Sequence, residues 1–306
     1  MKDFSGKIAV VTGGGAGMGR ELTRQLAAAG CSVAICDISE EDMAETKRLA
    51  EDGAPQGVKI TTFKADVADR GAVEAFRDHV LDAHDTDHIH LHFNNAGVGG
   101  GGSFVAGEED HWERTFNVCW QGVYNNARAF MPALMKADEA HIINVSSVNG
   151  FWASLGPETP HTAYSAAKFA VKGFTEALTT DLKLNAPHVK ASVVMPGHIG
   201  TNIALTTLRE FGDDAVTGDM PGGPAVSPEE ARQRAEEFRD NGTTSAEDAA
   251  TIILDGVKEE KWRILVGPDA HAIDAAVRNS PEKAYEPEFG LEIFDFIQRG
   301  QNEEAS

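Results

Sequence analysis

KIAVVTGGGAGMGR, residues 7–20, is the stretch whose reading decides how the rest of the chain folds. An apolar strand pattern runs into Thr12-Gly13-Gly14-Gly15-Ala16-Gly17-Met18-Gly19, and a helical pattern opens at Arg20. A side chain in such a turn would keep the backbone away from a pyrophosphate, while the first turn of the helix offers unpaired N–H groups to an anion. The strict G-x-G-x-x-G fingerprint fits no register of this segment. The spacing present is T-G-x-x-x-G-x-G, on Gly13, Gly17 and Gly19. An ordinary structural turn uses glycine too, so the loop alone does not settle the matter.

Twenty residues after Gly17, the second strand pattern, SVAIC, ends on Asp37. A carboxylate there accepts hydrogen bonds from both adenosine ribose hydroxyls of NAD and repels the 2′-phosphate of NADP. The competing reading is a capping acid ahead of the helix that opens in SEED.

Outward from these two strands, short β-rich runs alternate with longer helical ones. KIAVV, SVAIC, VKITTF, HIHLHF, HIINVS and VKASVV read as strands, and helices are expected near 18–29, 40–52, 69–84, 110–136 and 163–186. That rhythm predicts an α/β fold: a Rossmann-type, doubly wound parallel sheet with helices on both faces. Residues 200–244 are rich in Gly, Pro and acids and read as an excursion, with a helix near 245–258 and the strand WRILV after it. The expectation is one catalytic domain over 1–306, with a substrate lid at about 202–244 and a peripheral tail from about 285.

Composition narrows the partners. With 42% hydrophobic and 25% charged residues the chain is of ordinary globular make-up, and its net charge of −21 disfavours nucleic acid and anionic membranes. With no basic-then-apolar leader and no run long enough to span a bilayer, a cytoplasmic, unanchored protein is expected. Cys31, Cys36 and Cys119 lack metal spacing and read as reduced thiols, and His84, His88, His90 and His92 form no ligand set, so no metal is expected.

Tyr164 and Lys168 stand four apart on one helical face. Ser146-Ser147 end the strand HIINV, and Asn117 lies in the helical run WERTFNVCWQGVYN. Asn94-Asn95-Ala96-Gly97 follows HIHLHF, and Pro196-Gly197-His198-Ile199-Gly200-Thr201 follows VKASVV. TGxxxGxG, NNAG, Asn, Ser, YxxxK and PGxxxT, in this order over roughly residues 5–201, resemble the short-chain dehydrogenase/reductase family. The resemblance implies a role for each match. Tyr164 would be proton donor or acceptor, with Lys168 lowering its pKa and binding the nicotinamide ribose. Ser147 would hold the substrate oxygen, with Ser146 as the fallback, and Asn117 would support a proton path to Lys168. Asn95 with Asp66 and Val67 would line the adenosine side, and Ile199 and Thr201 would meet the carboxamide. Thr12, Met18 and Gly97 complete the expected cofactor set. NADP-preferring relatives carry a basic residue where this chain has Ala16 or Ile38, which again favours NAD.

The chemistry needs these groups. Reducing a ketone requires a proton at oxygen, free tyrosine is a poor base at neutral pH, and a neighbouring ammonium favours phenolate. Seventeen residues separate Ser147 from Tyr164, a longer stretch than is usual in the family, and the extra length falls in FWASLGPETPH. Phe151, Trp152 and Leu155 there, with Ile203, Leu205, Leu208 and Phe211, are the candidate apolar pocket lining, with packing of lid on body as the equal alternative, and a hydrophobic secondary alcohol or ketone is the expected substrate. An NADPH-linked carbonyl reductase and a non-catalytic NAD-sensing regulator stay open as alternatives. Small residues on the Tyr164 helix (Ala163, Ala166, Ala167, Ala170, Gly173) suggest close helix approach, and the resemblance implies a homodimer or homotetramer.

Overall fold

The computed structural model describes residues 1–155, 159–212 and 227–290. Its frame is a seven-stranded parallel sheet: β1 (Ile8–Thr12), β2 (Ser32–Asp37), β3 (Ile60–Lys64), β4 (Leu91–Asn94), β5 (Ala140–Val145), β6 (Val189–Pro196) and β9 (Arg263–Val266), in the spatial order β3-β2-β1-β4-β5-β6-β9. The chain winds outward one way from β1 to β3 and then returns to place β4 on the other side of β1. That reversal opens a crevice at the carboxyl ends of β1 and β4, where such sheets bind ligands.

Alternate strand residues feed two cores because successive side chains point to opposite faces. Ala9, Val11, Val33 and Ile35 pack with Leu22 and Leu26 of α1 (Gly17–Ala28), Met43 of α2 (Glu40–Gly53) and Ile253 of α9 (Ala246–Lys258). Val10 and Ala34 face the other layer. There they meet Phe76 of α3 (Arg70–Ala83), Phe130 of α5 (Gly122–Leu134) and Leu178 of α6 (Thr162–Asn185).

Three features depart from the sequence reading. The helix expected at 110–136 is α4 (Glu109–Phe116) and α5 joined by one π-helical turn, Asn117–Gln121. The excursion contains α7 (Ile203–Phe211) and α8 (Pro228–Asp240), and a two-residue parallel ladder pairs β7 (Ile199–Gly200) with β8 (Thr244–Ser245). Beyond β9, α10 (Pro268–Asn279) joins a third small cluster in which Ala270, Ile273 and Ala284 pack on Trp152, with Phe289 against it. The start of the expected tail therefore touches the body. The hinge-like stretch Met220–Pro224 and residues 291–306 lie outside the described residues. Among the described residues no helix is long and apolar enough to cross a membrane.

Candidate active site

The glycine turn is shaped for close approach. Gly13 and Gly17 have positive φ, and a Cβ at Gly19 would fall 2.0 Å from the Gly13 carbonyl oxygen. A Cβ at Gly17 would press on Thr201 at 3.2 Å, so turn and PG segment are in contact. Helix α1 starts at Gly17 without a side-chain cap and with no acid in its first turn, although Ser39, Asp69, Ser227 and Ser245 cap α2, α3, α8 and α9. Uncapped N–H groups at the end of β1 fit a pyrophosphate.

Asp37 stands at the tip of β2, its Oδ2 accepting from Gly15 N–H at 2.9 Å and its Oδ1 from Ser39 N–H at 3.1 Å. The helix cap is Ser39, not Asp37, since the Ser39 hydroxyl accepts from Asp42 N–H. Each Asp37 oxygen keeps a second lone pair, and the residue borders the groove. Thr12 and Asn95 tie the tips of β1 and β4: the Thr12 hydroxyl accepts from Asn95 and Ala96 N–H, and Asn95 Nδ2 donates to the Thr12 carbonyl at 3.0 Å. Asp37, Asp66, Val67, Met18, Asn95 and Gly97 border one cavity of about 390 Å³. Val67 sits against Gly122 of α5, where a Cβ would lie 2.7 Å from its Cγ2. Arg114, which the sequence reading did not single out, spans this cavity's edge: it pairs with Asp66 at 2.6 Å and with Glu210 of α7 at 2.7 Å.

A second cavity of about 400 Å³ adjoins the first, sharing Met18, Asn95, Gly97, Thr201 and Ile203. Ser147, Tyr164, Lys168 and Ile199 border it. Lys168 is 3% exposed; its Nζ donates to the Val145 carbonyl at 3.0 Å and lies 5.3 Å from the centre of the Tyr164 ring. Ser147 lies close enough to the Tyr164 hydroxyl to favour its ionised form. Ser146 is committed elsewhere, donating to the Lys168 carbonyl at 2.7 Å, so the longer Ser–Tyr spacing leaves Ser147 in reach. Burial holds the Tyr164 phenol above its ordinary pKa. Lys168 and Ser147 pull it down, but without a further positive charge nearby burial outweighs them. The expected lowering by Lys168 is present as a contribution and not as the net effect.

Asn117 does not border this cavity. It is exposed, at the start of the π-helical turn, while Cys119 is fully buried and donates from Sγ to the Val98 carbonyl at 3.2 Å. A Cβ on Gly97 would stand 3.6 Å from Lys168 Nζ and 3.7 Å from Cys119 Sγ, so thiol and ammonium flank one point. Positions two apart on a helix face opposite sides. The buried stripe runs Thr115, Val118, Cys119, Gly122, Val123, Asn126, and Asn117 is off it. That periodicity was the available signal for Cys119.

The pocket lining also needs correction. Trp152, Leu155 and Ile203 border the cavity, but among the described lining Phe151, Leu205, Leu208 and Phe211 are absent. Phe151 packs toward Arg263, and the Phe211 ring lies 4.9 Å from His111. Residues remote in sequence contribute instead. Asp269 of α10 is 4% exposed and accepts from His198 N–H at 2.6 Å, and Gly197 must lack a side chain because a Cβ would fall 2.2 Å from that carboxylate. Thr243 donates to the His198 carbonyl at 3.0 Å. The PG turn is thus propped from below. His161 borders the cavity with its ring 4.7 Å from that of Tyr164. Elsewhere, His90 accepts from Ile8 N–H, His84 meets Thr61, and His92 is buried without a partner. Among the described residues no group of three or more His, Cys, Asp or Glu could hold a metal, and all three cysteines are buried and free.

These features can be set beside known proteins. The family model described as short chain dehydrogenase matches residues 7–210. "Putative oxidoreductase SadH" of Mycobacterium tuberculosis is 35% identical over 280 residues, covering 91% of this chain and 92% of that protein. The 3-oxoacyl-[acyl-carrier-protein] reductase FabG of Thermotoga maritima is 29% identical, covering 75% of this chain and 89% of its own. A crystal structure of a short chain dehydrogenase/reductase from Burkholderia phymatum in complex with NAD superposes with a TM-score of 0.78 at 29% identity, covering 94% of this chain and 98% of that one. The matched segment carries the glycine turn, the Ser147–Tyr164–Lys168 group and the PG turn, so the chain belongs to the short-chain dehydrogenase/reductase family of oxidoreductases.

Proposed function

We propose that this protein is an NAD-dependent oxidoreductase interconverting a hydrophobic secondary alcohol and its ketone, with Tyr164 as general acid and base. The observation that carries the reading is the convergence of Ser147, Tyr164 and Lys168 in a largely apolar cavity continuous with the glycine-turn groove. The glycine turn, the uncapped start of α1 and the free lone pairs of Asp37 fit a dinucleotide. The ribose hydroxyls belong at Asp37, the adenine at Asp66 and Val67, and the nicotinamide end beside Ile199 and Thr201. A bound nicotinamide dinucleotide supplies or accepts two electrons by hydride exchange with the substrate carbon. In the reductive direction the Tyr164 hydroxyl, held protonated by burial, gives its proton to the substrate oxygen, and Ser147 hydrogen-bonds that oxygen as charge develops. In the oxidative direction the phenolate is favoured by the Lys168 ammonium and by the positive charge of the oxidised ring.

NAD over NADP rests on Asp37 and on Arg20, the cation nearest the turn, which is directed inward to the Gly15 carbonyl and Thr46. One observation favours the NADPH reading: Arg209 of α7 borders the same groove, 3.8 Å from Asp42. Absorbance at the reduced-nicotinamide band with a panel of alcohols tests both at once. NAD is expected to be used at least tenfold better than NADP in kcat/KM, about 1.4 kcal/mol; equal use refutes the Asp37 argument, and no turnover refutes the enzyme reading. We place the protein in the cytoplasm as a homodimer or homotetramer. Phe169, Ala166 and Gly173 of α6 and Tyr124 of α5 are exposed and support helix pairing, whereas Ala163 and Ala167 face inward. A monomeric mass by light scattering overturns that assembly. Closure over substrate is assigned to α7.

A further inference from the structure

Most polar side chains on the inner wall of the substrate cavity are already engaged. Asn149 donates to the Trp152 and Ser154 carbonyls, Thr207 to the Ile203 carbonyl and Ser146 to the Lys168 carbonyl, and His198 Nε2 meets the Phe238 carbonyl at 2.6 Å. His161 is different. No described residue hydrogen-bonds either of its ring nitrogens. Those nitrogens are also not sealed in protein, in contrast to both nitrogens of His92. The ring lies against Tyr164, centroids 4.7 Å apart and planes inclined by 37°, just ahead of the first residue of α6. Its enclosure pushes its pKa down to about 4, so it is neutral at working pH and presents one N–H donor and one lone-pair acceptor.

We propose that His161 is a specificity-determining residue that reads a second oxygen on the substrate, a hydroxyl or carbonyl on the carbon adjacent or next-adjacent to the reacting one. The inference rests on the oxidoreductase reading above. Geometry limits the ligand class. With ring centroids 4.7 Å apart, the imidazole stands beside the phenol, so an oxygen that it meets belongs to a carbon near the reacting one. Vicinal and 1,3-dioxygenated carbon chains meet that requirement. A neutral imidazole takes either partner, donating to a carbonyl or accepting from a hydroxyl. With Trp152, Leu155, Ile203 and Ile273 on the remaining walls, the preferred substrate is an oxygenated carbinol or ketone with a bulky hydrocarbon remainder. A wall group left unmatched discriminates strongly, because a substrate lacking the second oxygen leaves a polar nitrogen against hydrocarbon.

The test is a matched pair of ketones, 1-phenylpropan-2-one and 1-hydroxy-1-phenylpropan-2-one, assayed with NADH on wild type, His161→Phe and His161→Gln. Wild type is expected to favour the hydroxyketone by at least tenfold in kcat/KM. In His161→Phe that ratio should fall to within about twofold of unity, and His161→Gln, which keeps a donor and an acceptor, should retain an intermediate ratio. Fluorescence of bound NADH shows that each variant is folded and loaded. A wild-type ratio near one, or an unchanged ratio in His161→Phe, overturns the role of His161 while leaving the oxidoreductase reading intact. Bound NADH with no turnover of either ketone by wild type overturns both.

Discussion

Lowering the pH from 7.5 to 5.0 should cost this protein several kcal/mol of stability through its buried histidines, foremost two in the middle of its sheet. His92 on β4 is fully buried, with neither ring nitrogen hydrogen-bonded and its ring packed 4.8 Å from Phe130. His141 on β5 is almost as enclosed, with Nε2 on Ser192 at 2.7 Å and Nδ1 unmatched. Burial pushes the pKa of each down to about 3. In the unfolded chain the value is about 6.5, so below that pH the unfolded state binds protons that the folded state refuses. Stability is therefore complete above about pH 6.5 and declines as pH falls toward 3. At pH 5 the loss is about 2 kcal/mol for each ring, a large share of a typical total of about 5–15 kcal/mol. The depressed carboxylates, such as Asp274 beside Arg263 and Arg278, titrate below this window, so histidine dominates it. Urea denaturation at the two pH values, on wild type and His92→Leu, isolates the effect. The variant should show a pH dependence smaller by about 2 kcal/mol, with the urea slope unchanged. An identical pH dependence in the two proteins would refute the assignment.

Tyr164→Phe should lower kcat on the order of 10²–10⁴-fold with NAD affinity unchanged within a few-fold, since in the proposed reaction the lost hydroxyl carries the proton; near-normal turnover would remove Tyr164 from that role. Arg114→Gln should loosen α7, because it cuts the ties to Asp66 and Glu210, part-exposed pairs worth about 0.5–1 kcal/mol each; faster amide exchange across 203–211 and a severalfold weaker NAD Kd are expected, and unchanged exchange would count against the tie. Cys119→Val should lose about 1 kcal/mol by leaving the Val98 carbonyl unpaired, whereas Cys119→Ser, which keeps a donor, should melt close to wild type; equal losses would mean that the thiol acts by volume alone.

The sheet and its helices were legible because short apolar runs, among them β1, β2 and β5, alternate with longer helical ones, whereas the reversal between β1 and β4 came only with the strand order. Asp37 was legible because its meaning depends on a fixed spacing within one βαβ unit. Cys119 escaped although the buried stripe of its helix carries a local signal. The rest of what escaped has none. A two-residue ladder such as β7–β8 has no period to read. Arg114 meets Asp66 across 48 residues, and Asp269 meets His198 across 71, so neither is visible until the chain has folded. The pocket wall failed for a related reason: apolar residues on α7 were assigned to substrate by composition, and only Ile203 of the four has the orientation to reach the cavity.

The prop beneath the PG turn also sets an order of events during synthesis. Every side chain of the reacting group has been made by residue 168, and the turn itself by residue 201. The groups that hold that turn, Thr243, the β8 residues Thr244 and Ser245, and Asp269, come later still. At about 5–20 residues per second, the interval between translating His198 and translating Asp269 is roughly 4–14 s. A chain ending after β9 would carry every one of those side chains and the turn itself, with Asp269 missing from beneath it.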